Sequence, residues 1–283
     1  MSASAKWPPA RLRRLMRSAL AAVRLLPPPG PDYLERQVAR SWRKEAQTLA
    51  DLGVRDGLSI LDMGCGPGHF TARLAERLPQ ARIAALDNDP VMLDAARTLL
   101  AAKRNVAVRD APAHATGLAD ASCDVVLARL LFQHLRDPAA VAREAYRVLR
   151  PAGRLIVTDV DDDLFGVVEP AIPGFRRLLA AFGAEQARRG GNRRIGRALV
   201  PILQGAGFGD VALDAIVTTS GEAGIEACLP QLDPAPLAYL VRAGQLSQAD
   251  ADALRDARDA FLRDANPFAM VLLFVASGTK PAG

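Results

Sequence analysis

The sequence is poor in the residues that build disulfide frameworks and metal centres. It contains three cysteines and three histidines among 283 residues. The cysteines, Cys65, Cys123 and Cys228, lie far apart, which is neither the spacing of a zinc site nor that of a disulfide-stapled domain. We therefore expect no metal ion, and a reducing, cytoplasmic compartment for the chain.

Long uninterrupted apolar stretches are also missing. The longest such run, residues 269–276, is too short to cross a bilayer, which takes about 20 residues. Arginines interrupt the apolar residues of positions 1–30, so this segment lacks the pattern of a secretory signal. It predicts an amphipathic helix and a proline-rich linker, with the helix docked on the protein's own body or, alternatively, on a membrane surface.

Positively charged residues are only in modest excess over negatively charged ones. The formal net charge of +5 permits nucleic-acid binding without demanding it. Arginines concentrate in residues 188–197, where a solvated helix end and turn is the simplest interpretation and an RNA or acidic acceptor is the alternative. Because the chain shows no accessory nucleic-acid module, we expect no nucleic-acid partner.

What the sequence does contain is a regular alternation of apolar strands with amphipathic helices, after a helical pattern over residues 31–52. The strand segments carry little polar alternation before their ends, which is typical of a parallel sheet buried on both faces. This order predicts a doubly wound α/β sheet, with helices inserted between residues 220 and 265. The predicted strands are 58–63, 81–87, 105–110, 123–129, 153–160, 209–219 and 268–278.

The end of the first strand combines an acid with a glycine-rich loop. Asp62 is followed by Gly64, Gly66 and Gly68, residues that allow a ligand to approach the backbone closely. A dinucleotide-binding loop would have a glycine in place of His69. The carboxylate of Asp62 would also repel the pyrophosphate of a dinucleotide. An acid beside a helix N-terminus instead suits a ligand with both an ammonium and a carboxylate group, such as S-adenosylmethionine.

Several segments together resemble class I S-adenosylmethionine-dependent methyltransferases. LDMGCGPG resembles the first motif of that family, ALDNDPVML the second, and RDAPA the region that meets adenine. Residues 124–159 resemble the fourth and fifth motifs, so the resemblance covers about residues 58–159. It implies methyl transfer from S-adenosylmethionine on a Rossmann-like, seven-stranded sheet whose last strand is antiparallel.

The resemblance also implies roles for individual residues. Asp62 and the loop glycines would hold the methionine part of the cofactor, Asp87 would bind the ribose hydroxyls, and Asp110 would accept from the adenine amino group. Simpler roles stay open: a helix cap for Asp87, and core packing for Cys65 and Met92. The complete set of expected cofactor-binding residues is Tyr33, Asp62, Gly64, Cys65, Gly66, Gly68, Asp87, Asn88, Met92, Asp110, Ala111 and Arg129, the last through its backbone.

Candidate catalytic residues follow the fourth strand. Methyl transfer needs mainly positioning and exclusion of water, and a general base only where the acceptor must lose a proton. His134 is the candidate base, with packing or a cofactor contact as the alternative. Gln133 is a candidate for orienting an acceptor hydroxyl or the donor, and Asp159 faces the acceptor or caps a turn.

The chain divides in this interpretation into a helical lid over residues 1–56 and a methyltransferase domain over residues 57–283. Helices around residues 165–265 are expected to form the pocket of a small, partly apolar acceptor, such as a secondary metabolite, a quinone precursor or a lipid-like molecule. An RNA or protein methyltransferase and a silent cofactor-binding protein are the alternatives, and a homodimer is compatible with the sequence. The side chains expected in the pocket are Phe165, Phe175, Phe182, Leu232, Tyr239, Leu240 and Phe261.

Overall fold

The computed structural model describes residues 31–282, with side chains from Tyr33 onward. The amphipathic helix and proline-rich linker predicted within residues 1–30 lie outside the described residues. Within residues 31–282, no helix combines the length and the apolar character needed to cross a membrane.

Strands and helices alternate through the first half of the described chain, and four helices stand between the last two strands. The strands are β1 (Ser59–Met63), β2 (Arg82–Asp87), β3 (Val106–Asp110), β4 (Cys123–Arg129), β5 (Leu149–Asp159), β6 (Gly166–Glu169), β7 (Gly209–Thr219) and β8 (Phe268–Thr279). The helices are α1 (Pro31–Asp51), α2 (His69–Arg77), α3 (Pro90–Leu100), α4 (Pro138–Val148), α5 (Phe175–Arg188), α6 (Leu199–Gly205), α7 (Ser220–Ala223), α8 (Ile225–Cys228), α9 (Pro234–Arg242) and α10 (Gln248–Leu262).

Short polar side chains begin several of these helices. The carboxylate of Asp89 accepts a hydrogen bond from the Val91 N–H at 2.9 Å, which satisfies one of the free donors at the start of α3. Ser247 caps α10 as its sequence position predicts, because its hydroxyl accepts from the Asp250 N–H at 3.0 Å. These local signals explain why the helix starts could be located from sequence.

The eight strands form one sheet in the order β3–β2–β1–β4–β5–β8, and β8 also pairs with β6 and β7. Strands β1 to β5 run parallel to one another, whereas β8 runs antiparallel to its three partners β5, β6 and β7. The doubly wound sheet with an antiparallel last strand is therefore confirmed. The unexpected eighth strand, β6, has only four residues and pairs with β8 beyond the point where β5 ends.

Apolar side chains pack on both faces of the sheet, and a separate cluster lies among α5, α9 and α10. This cluster corrects the expected acceptor pocket, because Leu232, Tyr239, Leu240 and Phe261 are buried in it against other side chains. Phe165 and Phe175 do line a cavity, of about 360 Å³. The sequence pattern marked these residues as apolar but could not distinguish a packed core from an open pocket.

Candidate active site

The carboxyl ends of the parallel strands bring the predicted site residues to one edge of the sheet. Asp62 is the penultimate residue of β1, and Asp87 and Asp110 end β2 and β3. Asp87 and Asp110 lie directly opposite each other in the strand register. This edge is where open α/β sheets bind their ligands.

The loop after β1 uses its three glycines in two different ways. Gly64, Gly66 and Gly68 all have left-handed backbones, with φ of 78°, 56° and 90°. A Cβ on Gly64 would lie 2.8 Å from Leu131, and one on Gly68 would lie 2.9 Å from Leu100, so packing excludes side chains at both positions. A Cβ on Gly66 would meet nothing within 4 Å, which leaves open space above this residue. Gly66 is therefore where a ligand can approach the loop backbone.

Asp87 holds the shape of this loop. Its Oδ2 accepts a hydrogen bond from the Gly66 N–H at 2.9 Å, and its Oδ1 accepts from the N–H groups of Asn88 and Asp89 at 2.8 and 2.9 Å. Because Asp89 caps α3, the structure does not support the helix cap that was the simpler role for Asp87. The predicted contact between Asp87 and a ribose stays a prediction.

Asp62 is a buried acid whose charge is easily lost. Its side chain accepts a hydrogen bond from the Thr71 hydroxyl at 2.5 Å, and the residue is 1% exposed. Burial raises the pKa of Asp62 to about 6, although the Thr71 hydrogen bond and the charge of Arg129 oppose the rise. A cationic group bound beside this carboxylate would stabilise its ionised form. The buried Nε2 of His69 has no hydrogen-bond partner among the described residues, so a polar atom at this loop remains to be satisfied. Both observations fit a zwitterionic ligand.

Cys65 packs in an apolar cluster as its simpler role requires, whereas Met92 lies in none of the core clusters of the described residues. Cys65 is buried, and burial strongly raises the pKa of its thiol, which excludes a reactive thiolate near neutral pH. Met92 is half-buried in the first turn of α3. In the described part of the chain, no group of histidine, cysteine and acidic residues is arranged to hold a metal ion.

The residues expected around the adenine lie on the exposed side of this edge. Asn88 and Asp110 are exposed, and Ala111 is half-buried. The N–H of Ala111 donates to the carbonyl oxygen of Asp87 at 3.1 Å, so this donor is used inside the sheet. The roles proposed for these three residues stay predictions.

The side chain of Arg129 forms a buried ion pair that the sequence analysis missed. Its Nε donates to Glu45 at 2.7 Å and its Nη2 donates to the same carboxylate at 2.9 Å. The two side chains are 8% and 3% exposed. Glu45 lies in the apolar stripe of α1 with Val38 and Leu49, and an acid in such a stripe signals a buried partner. The ion pair joins the lid helix to the end of β4.

The backbone of Gln133, just after β4, contacts the carboxylate of Asp159 at the end of β5. The Gln133 N–H donates to Asp159 at 3.1 Å, and the Arg193 guanidinium donates to the Gln133 side-chain oxygen at 3.2 Å. Asp159 is fully buried, which raises the pKa of its carboxyl to about 7 despite the backbone hydrogen bonds that it accepts. This network holds the turn after β4 in place and orients Gln133.

His134 lies at the surface of the same turn. Its Nδ1 is 2.8 Å from the Gln186 amide nitrogen, and an amide nitrogen donates, so Nδ1 is the acceptor. Partial desolvation of the ring, then the charges of Arg193 and Arg189, lower the pKa of His134 below its usual value. The ring is therefore neutral at pH 7, and its role as a base stays a prediction.

Of the arginines in residues 188–197, Arg188, Arg194 and Arg197 are exposed, as the sequence interpretation of a solvated helix end and turn predicts, but all five pair with acids of the chain. Arg193 pairs with Asp162 at 2.5 Å and is 18% exposed, and Arg197 pairs with Asp161 at 2.6 Å. The two arginines at the end of α5 share Glu185, at 3.0 Å each. Acids inside the chain thus balance this segment, which weakens the case for a nucleic-acid surface.

Tyr33 lies on α1, close enough to Arg193 and Arg40 for their charges to act on its phenol. It lines a cavity of about 240 Å³ between α1 and the segment from α8 to Asp233. Neither this cavity nor the one beside Phe165 is lined by residues of the β1, β2 or β3 ends. The contact between Tyr33 and the cofactor stays a prediction.

A family model described as a methyltransferase domain matches residues 61–157, from β1 into β5. The chain is similar to the malonyl-[acyl-carrier protein] O-methyltransferase of Hahella chejuensis, with 40% identity over 53% of this chain and 54% of the relative. It is 37% identical to the trans-aconitate 2-methyltransferase of Azoarcus over 41% of this chain and 44% of the relative. It is 34% identical to the demethylmenaquinone methyltransferase of Deinococcus radiodurans over 52% of this chain and 61% of the relative. The chain thus spans about half the length of these relatives.

A solved structure shares the fold at low sequence identity. The phosphoethanolamine N-methyltransferase 2 of Haemonchus contortus, solved with phosphomonomethylethanolamine and S-adenosylhomocysteine, matches 85% of this chain and 53% of its own. The TM-score is 0.56 and the identity is 19%. This likeness concerns the arrangement of the sheet and its helices.

Proposed function

We propose that this chain, which carries the domain of a class I S-adenosylmethionine-dependent methyltransferase, transfers a methyl group from S-adenosylmethionine to a small acceptor. The family predicted from the sequence is confirmed by the domain match and by the methyltransferase relatives. The reaction of the whole protein is our proposal, because the relatives are matched over about half their length.

The glycine loop is the observation that carries the proposal. It combines open space above Gly66, a carboxylate at Asp62 that a cation would ionise, and a backbone held by Asp87. A dinucleotide would place a pyrophosphate beside Asp62, where the two negative charges would repel. A ligand with an ammonium group avoids this repulsion.

The residues around the loop would position the donor and exclude water. When bound, S-adenosylmethionine supplies a methyl group already activated by the sulfonium. Asp62 would bind the ammonium group of the donor, and Asp87 and Asp110 would accept hydrogen bonds from the nucleoside. Gln133, fixed by Arg193, would orient the acceptor at the end of β4. His134 would take a proton only from an acceptor that must lose one.

Small molecules are the acceptor class that we propose. The names of three relatives give their acceptors as malonyl-[acyl-carrier protein], trans-aconitate and demethylmenaquinone. Two of these are small molecules and the third is a small acyl group on a carrier protein, which supports the expectation from sequence. RNA and protein acceptors are the alternative, and the balanced charges of residues 188–197 do not favour RNA.

The state of the cysteines supports a further proposal, that the chain works in a reducing compartment, the cytoplasm. Cys65, Cys123 and Cys228 are all buried and none forms a disulfide. Buried free thiols are typical of proteins that work where thiols stay reduced.

Calorimetric titration of the purified chain with S-adenosylmethionine and with NAD tests the proposal. We expect binding of the first and none of the second, and Asp62→Ala should weaken binding about tenfold or more through the lost charge-assisted contact. Asp94→Asn is the matched control, because this acid is exposed on α3 and pairs only with Arg97. Tight NAD binding without S-adenosylmethionine binding would refute the assignment.

Release of S-adenosylhomocysteine in the presence of an acceptor panel separates an enzyme from a silent binding protein. The panel contains organic acids, naphthoquinols, phenols, a short RNA and a protein extract. Turnover with a small molecule is expected. Binding of the donor with turnover only on the RNA or the extract would contradict the acceptor class.

A further inference from the structure

The cavity that contains Tyr33 adjoins the methyl-transfer edge but belongs to other elements. Its walls are α1 and the insertion between β7 and β8, which lie outside residues 61–157. The carbonyl oxygen of Gln37, in the cavity wall, accepts a hydrogen bond from Arg129 at the end of β4, at 3.3 Å. The cavity therefore lies next to the strand ends, on the side formed by the lid helix and the insertion.

Arg40 places an incompletely paired cation in this cavity. Its Nη1 donates to the carbonyl oxygen of Ala227 at 3.1 Å, and its buried Nε has no hydrogen-bond partner. Burial and the nearby charge of Arg129 lower the pKa of Arg40, but an arginine remains protonated at neutral pH. Unlike the other buried arginines of the site, Arg40 has no carboxylate partner among the described side chains.

Two acids near Arg40 pair with other arginines. Glu45 is bonded to Arg129, and Asp233 at the cavity mouth lies 3.8 and 3.9 Å from two other arginines. Glu226 is exposed and forms no ion pair with Arg40 among the described contacts. Residues 1–30 contain no aspartate or glutamate, so that segment has no side-chain carboxylate to offer. A buried cation without a counter-charge is costly, so the missing partner is expected to be an anion.

We propose that this cavity receives an acidic group of the methyl acceptor, and that Arg40 pairs with the carboxylate of that group. The inference rests on the proposed function and narrows it to small carboxylic acids. The phenol of Tyr33 lines the same cavity and, because burial raises its pKa, stays a neutral hydrogen-bond donor at pH 7. The Nη2 of Arg40 donates no hydrogen bond to the described residues, and guanidinium N–H groups form strong, charge-assisted hydrogen bonds with carboxylates.

The test uses the full chain loaded with S-adenosylhomocysteine and four acid probes: malonate, trans-aconitate, octanoate and benzoate. Each acid is titrated beside its own methyl ester, which keeps the shape and removes the charge. We expect at least one acid to bind while its ester does not, and Arg40→Gln to weaken that binding about 10- to 100-fold. Acids that bind no better than their esters would overturn the inference.

Three variants separate the role of Arg40 from a general effect. Arg43→Gln, on the same helix but 82% exposed, should leave acid binding unchanged. Asp32→Asn should do the same, and increased acid binding by this variant would mean that Asp32 is the partner of Arg40 and would overturn the inference. Arg40→Lys keeps the charge without the planar fork and should retain part of the affinity. Thermal unfolding of each variant checks that it folds.

The donor provides a second carboxylate source, which the same experiments distinguish. If Arg40→Gln weakens S-adenosylhomocysteine binding tenfold or more, Arg40 binds the donor's own carboxylate and the inference is wrong. If the wild-type chain fails to bind S-adenosylhomocysteine at all, the proposed function fails with it. With a turnover substrate in hand, the expected change in Arg40→Gln is in the acceptor KM, with kcat nearly unchanged.

Discussion

The buried ion pair between Arg129 and Glu45 should be a main attachment of the lid helix to the sheet. Replacing Glu45 with alanine removes the hydrogen bonds of 2.7 and 2.9 Å and leaves a guanidinium that is 8% exposed without its partner. Breaking a buried pair in this way costs about 3–5 kcal/mol. Arg129 keeps its contact with the Gln37 carbonyl oxygen and its position over the Phe70 ring, so we expect about 3 kcal/mol.

Urea unfolding followed by tryptophan fluorescence and by circular dichroism measures this loss. Trp42 lies on α1 with its ring centre 5.7 Å from that of Phe70, so its fluorescence reports on the attachment of the helix. Since the chain has two tryptophans, Trp7→Phe makes Trp42 the single reporter. A fluorescence transition that precedes the circular dichroism transition in Glu45→Ala would show local release of α1.

Two controls make the result decisive. Arg97→Ala breaks an exposed pair, with side chains 52% and 79% exposed, and should cost less than about 1 kcal/mol. Replacing both Glu45 and Arg129 with methionine removes the uncompensated charge and should recover most of the loss. A cost in Glu45→Ala no larger than that in Arg97→Ala would refute the reasoning.

Three other outcomes are expected. Because burial raises the pKa of Asp62 to about 6, the affinity for S-adenosylmethionine, measured by calorimetry, should fall about tenfold from pH 7 to pH 5. Asp62→Asn should abolish this pH dependence. A pH-independent affinity of the wild-type chain would contradict the prediction. Gly66→Ala should weaken donor binding and lower the thermal midpoint only through its left-handed backbone, whereas Gly64→Ala adds a clash with Leu131 and should lower the midpoint further; the reverse order would contradict the open space above Gly66. Burial opposes ionisation of Glu144, but hydrogen bonds from Arg147 and a threonine lower its pKa to about 2. The ionised carboxylate therefore stabilises the folded chain above pH 4.5, and this contribution is lost as the pH falls toward 2. Glu144→Gln should thus cost about 2 kcal/mol in urea unfolding at pH 7 and nearly nothing at pH 2, and a pH-independent cost would contradict this.

Predictions that depended on neighbouring residues in the sequence succeeded. The seven long strands, the helix starts at Pro90 and Ser247 and the glycine loop all rest on short-range patterns. Strand β6 was not predicted, because its four residues show no clear alternation of apolar and polar side chains. The same local pattern located the acid at Asp62 but gave no indication of its burial.

Pairings between distant segments could not be predicted. Arg129 and Glu45 are 84 positions apart, and Arg193 meets Gln133 across 60 positions. A charged residue in an apolar stripe indicates that a partner exists, yet it does not identify the partner. The apolar residues expected to form a pocket became a packed core for the same reason, since hydrophobicity does not specify which surfaces meet.

The order of residues alone thus determined the sheet, the resemblance to methyltransferases and the position of the glycine-rich loop, because periodicity, turn residues and motif spacing act over short distances along the chain. Only the tertiary structure decided that Gly66 faces open space, that Asp62 has a raised pKa, and that Arg40 lines a cavity with no carboxylate partner among the side chains from Tyr33 onward. Burial and charge pairing depend on which segments meet in space, and Arg40 of α1 meets Ala227 of the insertion across 187 positions of sequence.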